Sequence, residues 1–183
     1  VEKGLVNSIL AGGMEHLIEA REEMEDNILE GWERLQKENI SVADMVIGIA
    51  ASGTTPFVLG ALQKYRLSGI STGCIFSNPK SPIARDAAFP VEVITGPEFL
   101  TGSTRMKCGK AQKMIFDMIS TTVMIKLQRV EDNQMVNVLL INDKITDRAV
   151  KMLMEKSGIS QYENAKSILL QYGSVKKAMD QLK

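Results

Sequence analysis

Two patterns of apolar residues alternate along the chain. Short runs rich in β-branched residues, bounded by glycine, serine or proline, read as strands. Longer stretches with apolar residues at three- and four-residue spacing read as helices. The first run, residues 5–10 (LVNSIL), predicts a short strand, and Ala11, Gly12 and Gly13 predict the turn that leaves it. Over 14–36 the spacing of Leu17, Ile18, Met24, Ile28, Leu29, Trp32 and Leu35 predicts a strongly charged helix with one buried stripe, in which Gly31 either loosens the helix or ends its first segment. Residues 45–50, with Val46, Ile47 and Ile49, predict a strand buried on both faces, and Phe57, Val58, Ala61, Leu62 and Tyr65 mark the helix over 54–68 that follows. Strands are predicted at 72–76 and 91–94, with a short helix over 83–87 between them. A long helix then runs to about position 126 on the apolar face of Met106, Ala111, Met114, Ile115, Met118, Ile119 and Val123. Strands alternating with helices at this spacing predict a parallel sheet with right-handed crossovers, so the fold class is α/β, doubly wound.

Beyond position 128 the character changes. Residues 138–141 form a short apolar run, 146–156 predict a helix stopped by Ser157 and Gly158, Ser160 caps a segment ending at Tyr172 and Gly173, and Ser174 starts a last short helix. The chain is therefore expected to hold a sheet domain over 1–135 and a small helical subdomain over 136–183.

The strand-to-helix turns are where the sequence offers chemistry. Ser52-Gly53-Thr54-Thr55-Pro56 is a tight, hydroxyl-rich turn, and Pro56 sits where the first turn of a helix has no use for an N–H. The first N–H groups of a helix lack partners and carry partial positive charge, so Ser52, Thr54 and Thr55 add donors to an anion site. No Gly-Lys-Ser/Thr and no GxGxxG pattern is present there, which favours a small phosphorylated molecule over a nucleotide. A plain N-cap made of Ser and Thr is the other reading of the same residues. The SNPKSP loop, residues 77–82, puts further hydroxyl and amide groups at the end of a strand. Ser103 and Thr104 at a predicted helix start, followed by Arg105 and Lys107, make a second anion-binding end. Residue type alone makes the acidic cluster Glu19, Glu22, Glu23, Glu25 and Asp26 a solvated face.

Composition narrows the classes. The 183 residues suffice for one substantial core and an appendage, and 22 Lys and Arg balance 22 Asp and Glu, so no global field favours nucleic acid or an acidic membrane surface. No apolar run is long enough to span a bilayer and no basic-then-apolar leader opens the chain, which reads as cytoplasmic. Cys74, Cys108 and the single His16 form no Cys/His cluster, so neither a zinc site, a disulfide framework nor a Ser/His triad is signalled.

The segments VIGIAASGTTPFVLGAL, SNPKSP and TGSTRMKCGKAQKM, in this order and spacing, resemble the N-acetylmuramic acid 6-phosphate etherase family of the sugar isomerase (SIS) superfamily, which is related to the glucokinase regulatory protein. The stretches NDKITDRAVKMLMEKSGIS and GSVKKA resemble that family's tail, so the likeness covers essentially the whole chain. The resemblance implies an SIS-type sheet and a lyase that cleaves the D-lactyl ether of N-acetylmuramic acid 6-phosphate, giving N-acetylglucosamine 6-phosphate and D-lactate in bacterial murein recycling. It further implies a homodimer with no metal and no other cofactor.

Carried over by motif, Ser52, Gly53, Thr54 and Thr55 hold the sugar phosphate, with Ser103, Thr104, Arg105 and Lys107 near it. Of two acid/base glutamates in the family, one matches Glu25, which sets that residue apart from the acidic cluster. Family members also carry an earlier segment with a strand, a Thr-Ser-Gly turn and an Asp-Ala-Ser-Glu motif holding the other glutamate, none of which this sequence contains. The expectation is a gap in the sheet between 5–10 and 45–50, hence a fragment or a chain whose sheet a partner segment completes, with little activity in isolation. Thr54 stands where many relatives carry Arg. The alternative function is a sugar-phosphate-binding regulatory module, which needs the hydroxyl turns and not Glu25, and aldose–ketose isomerisation ranks third.

Overall fold

The structure, a computed structural model, describes residues 4–19 and 21–182. The chain forms two compact units, 1–114 and 115–183, divided within one long helix.

The first unit is built on three parallel strands, β1 (Met45–Ile49), β2 (Ser71–Phe76) and β3 (Phe89–Glu92), in spatial order β1-β2-β3. Val46 pairs with Thr72, and Ile75 pairs with both Ile49 and Val91. Two helices precede or follow β1: α1 (Glu30–Gln36) and α2 (Pro56–Leu67), the latter with proline at its first position as the sequence predicts. A 3-10 turn, Pro82–Asp86, carries the chain from β2 to β3. Val46, Leu62, Tyr65, Cys74, Phe76 and Ile83 form the core. Full burial of a side chain such as Leu62 contributes about 1.5–3 kcal/mol. Thr72 links the crossover to the sheet by donating to the Asp86 carbonyl at 3.1 Å and accepting the Ala88 N–H at 3.3 Å.

Three expectations change here. The run 5–10 is not a strand among the described residues: Leu5 and Val6 are exposed, and Gly12 and Gly13, both at positive φ, form the turn with the Gly13 N–H on the Leu10 carbonyl. A strand needs a neighbour for its backbone groups, and no described strand lies beside this run. The predicted sheet gap therefore has no first bordering strand, and β1 is an edge of the described sheet. The strand predicted as buried on both faces is covered on one: Met45, Ile47 and Ile49 remain 47%, 38% and 40% exposed, while Val46 is buried.

The third change is that the single helix predicted over 14–36 is three pieces: 3-10 turns at Met14–His16 and Glu22–Asp26, then α1. Asn27 makes the last break, its side-chain oxygen accepting the N–H groups of Leu29 and Glu30 at 3.1 and 3.2 Å and so starting a new helix. Leu17, Ile18, Ile28 and Leu29 of the expected stripe are exposed, whereas Trp32 and Leu35 pack on the core. Gly31 does not loosen α1; it and Gly60 let two segments approach, since a Cβ on either would collide with the Phe57 or Ile28 carbonyl. The rings of Trp32 and Tyr65 meet beside this contact at 4.7 Å between centroids. The expected helix over 14–36 includes position 20 and the last expected helix includes 183, and both positions lie outside the described residues.

In the second unit, after the long helix α3 (Lys107–Lys126), comes a two-residue-per-strand hairpin, β4 (Val130–Glu131) with β5 (Gln134–Met135). Helices α4 (Asp143–Ser157), α5 (Tyr162–Tyr172) and α6 (Val175–Leu182) then pack on Val136, Val150, Leu153, Ala165, Leu169 and Val175. The Asn142 side chain accepts the Ile145 N–H at 2.9 Å, which starts α4 three residues before the predicted boundary. Gly158 and Gly173 end α4 and α5 in the left-handed conformation. Ser160 is not the cap of α5, whose cap position is Gln161 with no side-chain bond; Ser174 does open α6, accepting the Lys177 N–H at 3.3 Å.

Candidate functional site

The turn between β1 and α2 stands at the carboxyl edge of the sheet, where the ends of parallel strands leave a crevice. Its shape begins with Gly53, at φ +72° and buried, where a Cβ would collide with the Ser81 side chain. The Gly53 N–H returns to the Ala50 carbonyl at 2.9 Å and its carbonyl accepts the Ile83 N–H at 3.2 Å. The loop after β2 braces the same turn: Asn78 Nδ2 and Ser81 Oγ each lie 3.3 Å from the Ser52 carbonyl, and Ser81 Oγ is 2.7 Å from the Asn78 carbonyl.

Within the turn the hydroxyls face one another. Ser52 Oγ accepts the Thr54 N–H and the Thr54 hydroxyl, both at 3.2 Å, and lies 3.5 Å from Thr55 Oγ1. Thr55 is the N-cap residue of α2, yet its side chain makes no capping bond. Its hydroxyl instead donates to Glu25 Oε2 at 3.3 Å. The plain-cap reading therefore does not account for Thr55: the group that would close the helix start is turned to a carboxylate thirty residues away. Glu25 is exposed, on the 3-10 turn Glu22–Asp26. Ser77, at the end of β2, has a buried hydroxyl with no hydrogen-bond partner among the described residues.

Glu22, on the same 3-10 turn, reaches the second hydroxyl-rich segment, its Oε1 lying 4.0 Å from Arg105 Nη2. Together with residues 100–105 it lines an open depression of about 440 Å³. Ser103, Thr104 and Arg105 lie in the loop and not at a helix start, because α3 begins only at Lys107. Lys107 Nζ donates to the Pro97 carbonyl at 2.6 Å. At the start of α3 a carboxylate is already seated: Glu98 Oε2 accepts the Lys107 N–H at 2.9 Å and Oε1 the Cys108 N–H at 3.0 Å. The bond from Cys108, then that from Lys107, holds the Glu98 carboxyl below the usual range.

The structure thus joins Glu25 to the 52–55 turn and Glu22 to Arg105. Glu98, Asn78 and Ser81 were missed as individual positions. For Asn78 and Ser81 the SNPKSP loop is the available signal; for Glu98, nine and ten residues from its partners, no local pattern exists. No group of three or more His, Cys, Asp or Glu with metal-binding geometry occurs among the described residues, and none of their helices is long and apolar enough to cross a membrane.

The family model of the glucokinase regulatory protein N-terminal SIS domain matches residues 2–66, which contain Glu25 and the whole 52–55 turn. N-acetylmuramic acid 6-phosphate etherases of Bacteroides fragilis and Porphyromonas gingivalis are each 53% identical to the chain, over 98% and 97% of its length and 63% and 65% of theirs. The chain is homologous to these etherases. The etherase of Yersinia pestis is 46% identical over 89% of the chain and 55% of its own length. The chain spans just under two thirds of the length of the Bacteroides and Porphyromonas relatives. Each etherase alignment covers most of this chain, so the likeness extends well beyond the SIS match.

Proposed function

We propose that the chain is the larger part of a carbon–oxygen lyase that binds a phosphorylated amino sugar and cleaves the D-lactyl ether of N-acetylmuramic acid 6-phosphate. The observation that carries this is the Thr55–Glu25 contact, which sets an exposed carboxylate beside a turn of hydroxyls at a helix start. The turn suits a phosphate, with Ser52, Thr54 and Thr55 as side-chain donors and Gly53, whose positive φ and contact with Ser81 shape the turn, holding them in place. Ser103, Thr104 and Arg105 add donors and one positive charge from the loop that Glu22 reaches through Arg105, and Lys107 steadies that loop from its base.

Glu25 then serves in acid/base chemistry. In the reaction a base removes the proton next to the C1 aldehyde of the opened sugar, the ether bond breaks, an acid protonates the departing lactate oxygen, and water adds across the double bond. Carboxyl groups fill both roles when their surroundings set their pKa values apart. The names of the relatives and the resemblance support this substrate over other sugar phosphates. The resemblance alone further implies a homodimer acting in the cytoplasm, in bacterial cell-wall recycling.

The test is lactate release from N-acetylmuramic acid 6-phosphate, followed together with calorimetric binding of the same compound. Binding with release that Glu25→Gln stops supports the lyase. Binding without release, from the chain alone and also when it is supplied with the segment of the Bacteroides fragilis etherase that it does not cover, removes the lyase half of the proposal, and absence of binding in both removes both.

A further inference from the structure

Glu25 stands on the 3-10 turn Glu22–Asp26, whose residues are all exposed except Met24, which is half-buried. Three side chains of this turn reach three other segments. Glu25 meets the Thr55 hydroxyl at 3.3 Å, Glu22 meets Arg105 at 4.0 Å, and Met24 lies against Gly12 in the turn that follows residues 5–10. A 3-10 turn has three residues per turn, so successive side chains point about 120° apart. The direction in which Met24 is held therefore sets the direction of Glu25 beside it.

The three contacts differ in how firmly they can hold the turn. The Glu25 bond to Thr55 is single, and Glu25 is exposed. Glu22 and Arg105 are 83% and 78% exposed, so water screens their attraction and the pair contributes little. The contact of Met24 with Gly12 is the packed one. Gly12 is buried at φ +77°, and a Cβ there would stand 3.0 Å from His16 Cδ2 and 3.3 and 3.4 Å from Met24 Cγ and Cβ. Glycine takes this backbone conformation without strain and leaves room for both neighbours. The floor under Met24 is itself fixed, with the Gly13 N–H on the Leu10 carbonyl at 3.0 Å and the His16 N–H on the Gly13 carbonyl at 3.2 Å.

We propose that the seat of Met24 on Gly12 positions Glu25 for acid/base chemistry, and that this packing, more than the Glu22–Arg105 pair, holds the carboxylate at Thr55. The proposal rests on the reading of Glu25 given above. Gly12 and Met24 are positioning residues: they act through the direction of Glu25 and not on the ligand. A polar side chain at position 24 or a methyl group at position 12 is expected to lift the 22–26 turn and to part Glu25 from Thr55, while the 52–55 turn keeps its shape.

The experiment reads the proton Overhauser contact between the Thr55 methyl group and the Glu25 side-chain methylenes in the isotope-labelled chain, with the contact between the Trp32 and Tyr65 rings as the sign that a variant is folded. The contact is expected in the unsubstituted chain, in Met24→Leu, which keeps an apolar side chain, and in Glu22→Gln. It is expected to be lost in Met24→Asn and in Gly12→Ala. Folded Met24→Asn and Gly12→Ala variants that keep it overturn the proposal, as does its loss in Glu22→Gln, which would give the role to the ion pair. Its absence from the unsubstituted chain overturns the proposal without any variant.

A second readout separates positioning from binding. With the chain supplied with the segment of the Bacteroides fragilis etherase that it does not cover, Met24→Asn is expected to lower kcat for lactate release at least about tenfold and Met24→Leu to restore it, while KM changes less than about twofold. A rise in KM with kcat unchanged overturns the positioning role. If the unsubstituted assembly releases no lactate, the reading of Glu25 as an acid/base group fails, and the Overhauser contact alone decides whether Gly12 and Met24 hold its place.

Discussion

The hydroxyl of Thr55 donates to Glu25 Oε2 across 3.3 Å, tying the cap position of α2 to the 3-10 turn that precedes α1. A threonine at a helix start would ordinarily bond back to its own helix. Here the helix start keeps its N–H groups free of that side chain, and the acid sits beside them. Phosphate recognition and acid/base chemistry are therefore proposed to meet at one contact.

Removing either partner is expected to act on different steps. Thr55→Ala deletes a hydroxyl proposed to turn from Glu25 to the phosphate when ligand binds, so affinity for N-acetylglucosamine 6-phosphate falls about tenfold or more, measured by calorimetry. Glu25→Gln changes that affinity by less than about fivefold, while lactate release, where the unsubstituted chain shows it, drops at least about 100-fold.

Gly53→Ala tests the shape of the turn. The position has φ +72° and a Cβ there meets Ser81, so the variant is strained by both backbone and neighbour. A loss of about 1–3 kcal/mol in denaturant unfolding is expected, together with weakened sugar-phosphate binding. Unchanged stability and binding would contradict the described turn.

The pH dependence of stability follows from Glu98. Its carboxyl is held below the usual range in the folded state, so in the window between the folded and unfolded pKa values the unfolded chain binds more protons. The contribution is complete above the unfolded value, roughly 4.3, and is lost as the pH falls through the folded one. Comparison of thermal unfolding of the chain with Glu98→Gln is expected to show a stability gap at neutral pH that closes on acidification through that window. A gap independent of pH would remove the charged clamp.

In the second unit, Asn142→Ala removes the cap that starts α4 and is expected to cost about 1 kcal/mol, against about 2–5 kcal/mol for Leu153→Ala, which empties a fully buried position. Equal small losses would mean that the helices are not packed around Leu153.

Pattern was legible wherever a single element decided its own structure. The run around Val46, the proline-started α2, the strand holding Cys74 and the helix to Lys126 all follow from spacing and local turn chemistry. Local pattern misleads where the outcome depends on something outside its window. Leu5 and Val6 have strand-forming character, but no described strand pairs with their run. Ile18 fits a helical stripe yet is 96% exposed, because it lies in the bend after the 3-10 turn Met14–His16 and not on a helix. The hydroxyl turn at 52–55 was visible as a motif, and Glu25 was singled out through resemblance, since spacing alone left it one acid among five. The Glu98 clamp had no sequence signature, because it joins a carboxylate to backbone groups across a loop.

The most direct test of the central claim is calorimetry of the chain with N-acetylglucosamine 6-phosphate and with unphosphorylated N-acetylglucosamine, repeated with Ser52→Ala. The account predicts measurable binding of the phosphorylated sugar only, weakened about tenfold by the substitution. Equal binding of both sugars, or affinity for the phosphorylated one that Ser52→Ala leaves unchanged, would contradict it.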